Sequence, residues 1–231
     1  MSTRYTPRQA IESRRLLNES GRRLYVLFPY WHAGQGTTYS SLVRRLARDG
    51  PAVVAYGLND HILQPNIDVV LESFEWIQKQ IVADIQKLIQ ANQYTEVRLG
   101  GLSLGNVSLA KVAQRFHDFA VATIVVGGSN LARCTWEGIR TQAIRKAFEE
   151  QGISEELLDV VWQSLAPKQA AEAFRDKQVY MVVSSSDRII PTFYQREMTT
   201  TLNEVTDDLQ IVYYRAGHAA SILRFCTRGW V

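Results

Sequence analysis

The pentapeptide Gly101-Leu102-Ser103-Leu104-Gly105 sets a hydroxyl between two glycines. Serine chemistry needs a hydroxyl held clear of the backbone, a base to take its proton, and donors for the oxyanion that follows attack. Glycines two before and two after the serine permit a sharp turn, because side chains there would collide with neighbouring backbone. Val97-Arg98-Leu99-Gly100 reads as strand before this turn, and Asn106 onward reads as helix. The match alone is weak, since a glycine-rich strand-to-helix loop with an incidental serine carries the same letters. Its weight comes from placement and partners.

A base and an acid at the ends of later strands would complete the set. The chain has four histidines. His32 and His61 precede the serine, and His117 falls in the helix after it, on a face read as exposed. His218 follows the last strand in Tyr214-Arg215-Ala216-Gly217-His218, where a loop would hold it above the sheet. Asp187 is the acid near the end of the preceding strand, Tyr180-Met181-Val182-Val183. Asp207 and Asp208 read instead as a turn entering the last strand. The plain alternatives are a surface or capping histidine and a turn aspartate.

Positioning these groups requires alternating strands and helices. Short β-branched or apolar runs at 24–29, 52–57, 96–100, 121–127, 179–185 and 209–214 read as six strands. Several are apolar throughout, as when helices cover both sheet faces. Val70, Phe74, Ile77, Ile81, Ile85 and Leu88 lie three or four apart on one helical face, and Val107, Leu109, Val112, Ala113 and Phe116 form another. The expected fold class is α/β: a mostly parallel, six-stranded, doubly wound sheet in a single domain. The first twenty residues read as an additional packing helix, with Thr6 as cap and Pro7 as first helical residue. The interval 129–177 is too long for a simple crossover and holds three expected helices, at 136–150, 154–163 and 167–175. Its functional reading is a helical lid over a pocket; its plain reading is a longer route of packing helices.

At this point the chain resembles the α/β-hydrolase superfamily, from about residue 24 to the C-terminus. The resemblance rests on the 101–105 elbow, on Asp187-Arg188-Ile189-Ile190-Pro191 after a strand, and on the Gly217-His218 step 31 residues beyond Asp187. It singles out no subfamily. It implies a Ser103–His218–Asp187 triad and an oxyanion hole with one donor at the amide of Leu104. The second donor would come from Pro29-Tyr30-Trp31-His32-Ala33-Gly34-Gln35-Gly36, where many relatives carry His-Gly and a following residue. Counting back from the next helix puts that pair at Tyr30-Trp31 and the donor at His32; a slip of one residue makes it Trp31. Asn59-Asp60-His61 lies near the same mouth and reads mainly as a polar loop.

The expected function is hydrolysis of a carboxylic ester, or a related acyl bond, in a small-molecule substrate. Thioesterase, amidase, peptidase and acyltransferase chemistry would use the same residues, and a non-catalytic binding protein is a rival of a different class. Trp136, Ile139, Phe148, Leu157 and Trp162 hint at an apolar acyl or aromatic group, or else at packing. No metal or organic cofactor is expected, because the triad chemistry needs none, and no His/Asp/Glu cluster has the spacing of metal ligands. Net charge is a mild +3 and the Arg pairs are scattered, which argues against a nucleic-acid partner. No segment approaches the ~18 apolar residues of a membrane span, and the N-terminus lacks a secretory pattern. The two cysteines, Cys134 and Cys226, have no metal-type spacing and fit a reducing cytoplasm.

Overall fold

The computed structural model describes residues 5–33, 37–48 and 50–228. Residues 34–36 of the loop expected to carry the second oxyanion donor lie outside the described residues. Among the described residues seven strands form one sheet in the order β1-β3-β2-β4-β5-β6-β7. They are β1 (Ile11–Leu17), β2 (Arg23–Phe28), β3 (Ala52–Leu58), β4 (Glu96–Leu102), β5 (Val121–Val125), β6 (Gln178–Ser184) and β7 (Leu209–Tyr214). Every pairing is parallel except β1 with β3. The mostly parallel α/β sheet is as expected, with one more strand.

That strand corrects the reading of the N-terminus. Thr6 and Pro7 do open a helical turn, and the side chain of Gln9 accepts from the Thr6 N–H at 2.8 Å. The turn ends at Gln9, and the chain runs on as β1 along the edge of β3. Edge pairing stabilises a strand without an apolar period, since the free N–H and C=O groups of β3 need partners. The residues Glu12, Ser13, Arg14 and Arg15 are exposed on β1, and Arg14 Nε donates to Asp84 at 2.6 Å.

The sheet alternates its side chains between two layers, as period-two geometry demands. Leu24, Val26 and Phe28 of β2 face one cluster, together with Phe74, Ile77, Ile81 and Ile85 of helix α2 (Ile67–Asn92). Tyr25 and Leu27 face the other, with Leu42 and Leu46 of α1 (Thr37–Arg48) and Ile222 and Phe225 of α8 (His218–Arg228). The six apolar positions expected on the long helix are all buried. Helix α3 (Gly105–Ala113) follows β4, and Val107, Leu109, Val112, Ala113 and Phe116 are buried. His117 is exposed but lies beyond the end of that helix.

Between β5 and β6 run α4 (Leu131–Glu137), α5 (Gln142–Glu150), α6 (Glu155–Val161) and 3-10 turns at Gln163–Leu165 and Pro167–Phe174. The helix expected over 136–150 is thus two helices, broken at Gly138. A Cβ there would lie 2.6 Å from the carbonyl oxygens of both Cys134 and Ile189. Ser154 caps α6, accepting from Leu157 N–H at 3.3 Å. Helix α7 (Thr192–Asn203) joins β6 to β7. No helix of the described residues is long and apolar enough to cross a membrane.

Candidate active site

The chain leaves β2 toward β3 on one side, while β4 pairs with β2 on the other. Crevices form at the carboxyl ends of strands where the winding reverses in this way. The 101–105 turn, after β4, and the 29–33 loop, after β2, both lie at that point.

Ser103 has φ +53°, in the left-handed region that residues with a Cβ seldom adopt. The conformation is held from several sides. The Ser103 N–H donates to Val125 O at 2.9 Å. The Asn106 Nδ2 donates to Ser103 O at 2.9 Å and to Val125 O at 3.0 Å, tying the turn to β5. Both glycines are sterically required. A Cβ on Gly105 would come within 2.5 Å of Phe28 O and Pro29 O, and one on Gly101 within 2.9 Å of the Asn106 backbone.

The turn aims the serine at His218. Ser103 Oγ lies 2.8 Å from His218 Nε2, and His218 Nδ1 lies 2.7 Å from Asp187 Oδ2. All three residues are buried. With Asp187 ionised, Nδ1–H is the donor to the carboxylate, which leaves Nε2 to accept from the serine hydroxyl. His218 is the first residue of α8 and not a loop residue. Asp187 is itself fixed by three further donors. Its Oδ1 accepts from the N–H groups of Ile189 at 2.9 Å and Ile190 at 3.0 Å, and Oδ2 accepts from Gln195 Nε2 at 2.9 Å. Gln195, wholly buried, also donates to Ile190 O at 2.8 Å and accepts from Ser184 N–H at 2.9 Å. Sequence reasoning missed both Asn106 and Gln195. Asn106 directly follows the elbow and had that as a signal; Gln195 sits mid-helix and had none.

Ser103 and His218 open into a cavity of about 370 Å³. Its walls are mainly apolar, with Leu63, Leu131, Ile189 and Ile222 among them. Leu104 lines it, and its N–H donates to no backbone carbonyl among the described residues. Of the two rival loop donors, Trp31 lines the cavity and His32 does not. The His32 ring is half in solvent, 3.1 Å from Asp60 Oδ1 and stacked on Trp31 at 4.4 Å. Trp31 Nε1 donates to Asp60 O at 2.8 Å. Asn59, Asp60 and His61 do not line the cavity; Asp60 braces the Trp31 loop. The aromatic and aliphatic residues singled out in 136–162 do not line it either. Phe148 and Trp162 pack edge to face in the core, Trp136 packs against that core, and Ile139 and Leu157 are exposed. Cys134 does line the cavity, but burial pushes its thiol pKa well up, so it stays protonated at neutral pH. No group of three or more metal-binding side chains occurs among the described residues.

The backbone agrees with solved structures of known hydrolases. An acylaminoacyl peptidase of Pyrococcus horikoshii superposes with a TM-score of 0.66 at 14% identity, over 88% of this chain and 34% of that one. An esterase of Pyrococcus furiosus gives 0.65 at 11% identity, over 97% of this chain and 89% of that one. An acetyl xylan esterase from Paenibacillus sp. R4 gives 0.67 at 13% identity, over 91% and 75%. The chain has the α/β-hydrolase fold. No protein-family model and no curated protein sequence matches it. Within the α/β-hydrolase fold, Ser103, Asp187 and His218 each stand at the carboxyl end of a strand or in the segment just after it. The chain spans about a third of the peptidase and most of the two esterases.

Proposed function

We propose that this protein is a serine hydrolase that cleaves a carboxylic ester of a small molecule through a covalent acyl-enzyme. The observation that carries the reading is the unbroken hydrogen-bond path from Ser103 Oγ through the His218 ring to Asp187, opening on a mainly apolar cavity. Esterases among its structural neighbours support the same class.

In the proposed reaction His218 Nε2 takes the hydroxyl proton as Ser103 Oγ bonds to the substrate carbonyl carbon. The carbonyl π pair moves onto oxygen, giving a tetrahedral oxyanion. Asp187 holds the imidazole in the required tautomer and stabilises its cationic form. When the oxyanion collapses, the bond to the leaving alkoxide breaks and His218 returns the proton to it. Water, deprotonated by His218, then attacks the acyl-serine and releases a carboxylic acid and free Ser103 by the reverse path. The donors assigned to the oxyanion are the amides of Leu104 and Trp31, Trp31 being preferred to His32 because it lines the cavity. One such donor contributes about 3 kcal/mol to the transition state.

The segment 129–177 is read as a cap on this site. Asn130, Leu131, Cys134, Thr135, Arg140 and Thr141 from it form one wall of the cavity. The two buried cysteines, free of disulfides, fit a reducing cytoplasm.

The test is hydrolysis of 4-nitrophenyl esters of graded acyl length by the wild type and Ser103→Ala. The wild type is expected to turn over short and medium chains, with kcat/KM falling once the acyl group outgrows the cavity. Ser103→Ala is expected to lose at least ~10³-fold in kcat. Full activity in Ser103→Ala would refute the covalent serine.

A further inference from the structure

The cavity carries a charge that the proposed chemistry does not use. Among its described lining residues Arg140 is the sole Lys or Arg, and no carboxylate lines it. Arg140 is exposed and has no hydrogen-bond or ion-pair partner among the described residues. A guanidinium offers five donors in a rigid fork whose complement is a carboxylate or phosphate.

The side chain is mounted on a braced turn. Ile139 N–H donates to Arg188 O at 3.2 Å, next to Asp187. Thr141 donates to Gly138 O through its N–H at 3.3 Å and its Oγ1 at 3.0 Å. Gly138 packs so closely on Ile189 O that a Cβ would reach it at 2.6 Å. The turn is therefore keyed to the loop that carries the acid, which fixes where the Arg140 backbone stands at the cavity wall.

Two further observations bear on the ligand, one on its polarity and one on its charge. On the same wall, Thr135 Oγ1 is buried without a hydrogen-bond partner among the described residues, which costs free energy unless a ligand supplies one. Beside the cavity, sharing Thr38 and Leu223 with it, a groove is lined by Arg44, Arg45 and Arg48 and by no acid among the described residues. Arg45 Nη2 is buried there without a hydrogen-bond partner among the described residues. The side of the cavity at Thr38 and Leu223 is thus flanked by arginines, which favours negatively charged ligands there.

We propose that Arg140 binds a carboxylate carried by the substrate, so that this cavity takes an anionic amphiphilic ester: an apolar body against the aliphatic wall and a negative end at Arg140. One guanidinium fork matches one carboxylate in charge and in shape. The proposal rests on the serine-hydrolase reading and names its substrate class.

The experiment compares two ester pairs that differ only in one charge. In the first, the 4-nitrophenyl monoester of adipic acid is set against its methyl-capped form, placing the carboxylate on the acyl side. In the second, 4-carboxyphenyl butyrate is set against 4-(methoxycarbonyl)phenyl butyrate, placing it on the alcohol side. The wild type is expected to prefer the anionic member of at least one pair by about tenfold in kcat/KM, mostly through KM, and less so at high salt. Arg140→Gln is expected to abolish that preference and Arg140→Lys to restore part of it. Equal rates within both pairs, or a preference that survives in Arg140→Gln, would overturn the assignment. Ser103→Ala run on all four esters separates the two claims. Undiminished hydrolysis there sinks the serine reading, whereas a Ser103-dependent enzyme blind to charge sinks Arg140 alone.

Discussion

Ser103 is held at φ +53° by its own N–H bond to Val125 O and by the Asn106 side chain, and the turn so fixed sets its hydroxyl 2.8 Å from His218 Nε2. The two elbow glycines were legible in the sequence because no larger side chain fits beside Phe28 O or the Asn106 backbone. Asp187 and His218 were legible because each follows a strand at the same sheet edge. Gln195 was not, since a glutamine within a helix is ordinarily a surface residue. Here it is wholly buried and joins Asp187, Ile190 and the end of β6. Gln195→Ala would leave the Ser184 N–H without its acceptor and Asp187 without one of its four donors. The expected stability loss is about 1–3 kcal/mol by chemical denaturation. Loss of the acid's positioning should also lower kcat about tenfold with little change in KM, measured on a short 4-nitrophenyl ester. A KM effect without a kcat effect would make Gln195 merely structural.

At the scale of elements, strands buried on both faces were readable from their apolar runs, and β7 was read to the residue. β1 was not, because its centre, Glu12-Ser13-Arg14-Arg15, is polar and exposed and owes its conformation to pairing with β3. Thr6-Pro7 is a true helix start, and nothing local says that the helix stops after one turn. The pocket-facing residues of the 129–177 segment were misassigned for a related reason: a core side chain and a cavity side chain have the same composition. Phe148 and Trp162 fill the core, while Leu131 and Thr135 face the cavity. The segment is tied together by Asp159 on α6, which accepts from Asn130 Nδ2 at 2.6 Å and from Arg133 Nε at 2.9 Å. Burial alone would raise the Asp159 pKa, but the hydrogen bonds from Asn130 and Arg133 outweigh it and hold the carboxyl below its usual range. A depressed carboxyl stabilises the fold above its unfolded pKa, and that contribution is lost as pH falls through the folded value. Asp159→Asn is therefore expected to be less stable than wild type at pH 7 by about 1 kcal/mol, with the gap closing below about pH 4. Thermal melts of both proteins between pH 7 and pH 3 check this; a gap that widens on acidification would contradict it.

At the scale of the whole molecule, one sheet does the positioning. Parallel strands end at a common edge, and the reversal of winding between β2 and β4 opens a crevice there. Ser103 stands over that crevice at the end of β4, and Asp187 and His218 follow β6 and β7. The β5–β6 connection supplies a wall of the cavity. The most direct measurement of the central claim is active-site labelling of the intact protein by a fluorophosphonate, followed by peptide mass spectrometry. One adduct per chain on Ser103 is expected, absent in Ser103→Ala and formed at least ~100-fold more slowly in His218→Ala. A label on any other residue, or labelling of His218→Ala at the wild-type rate, would contradict the account.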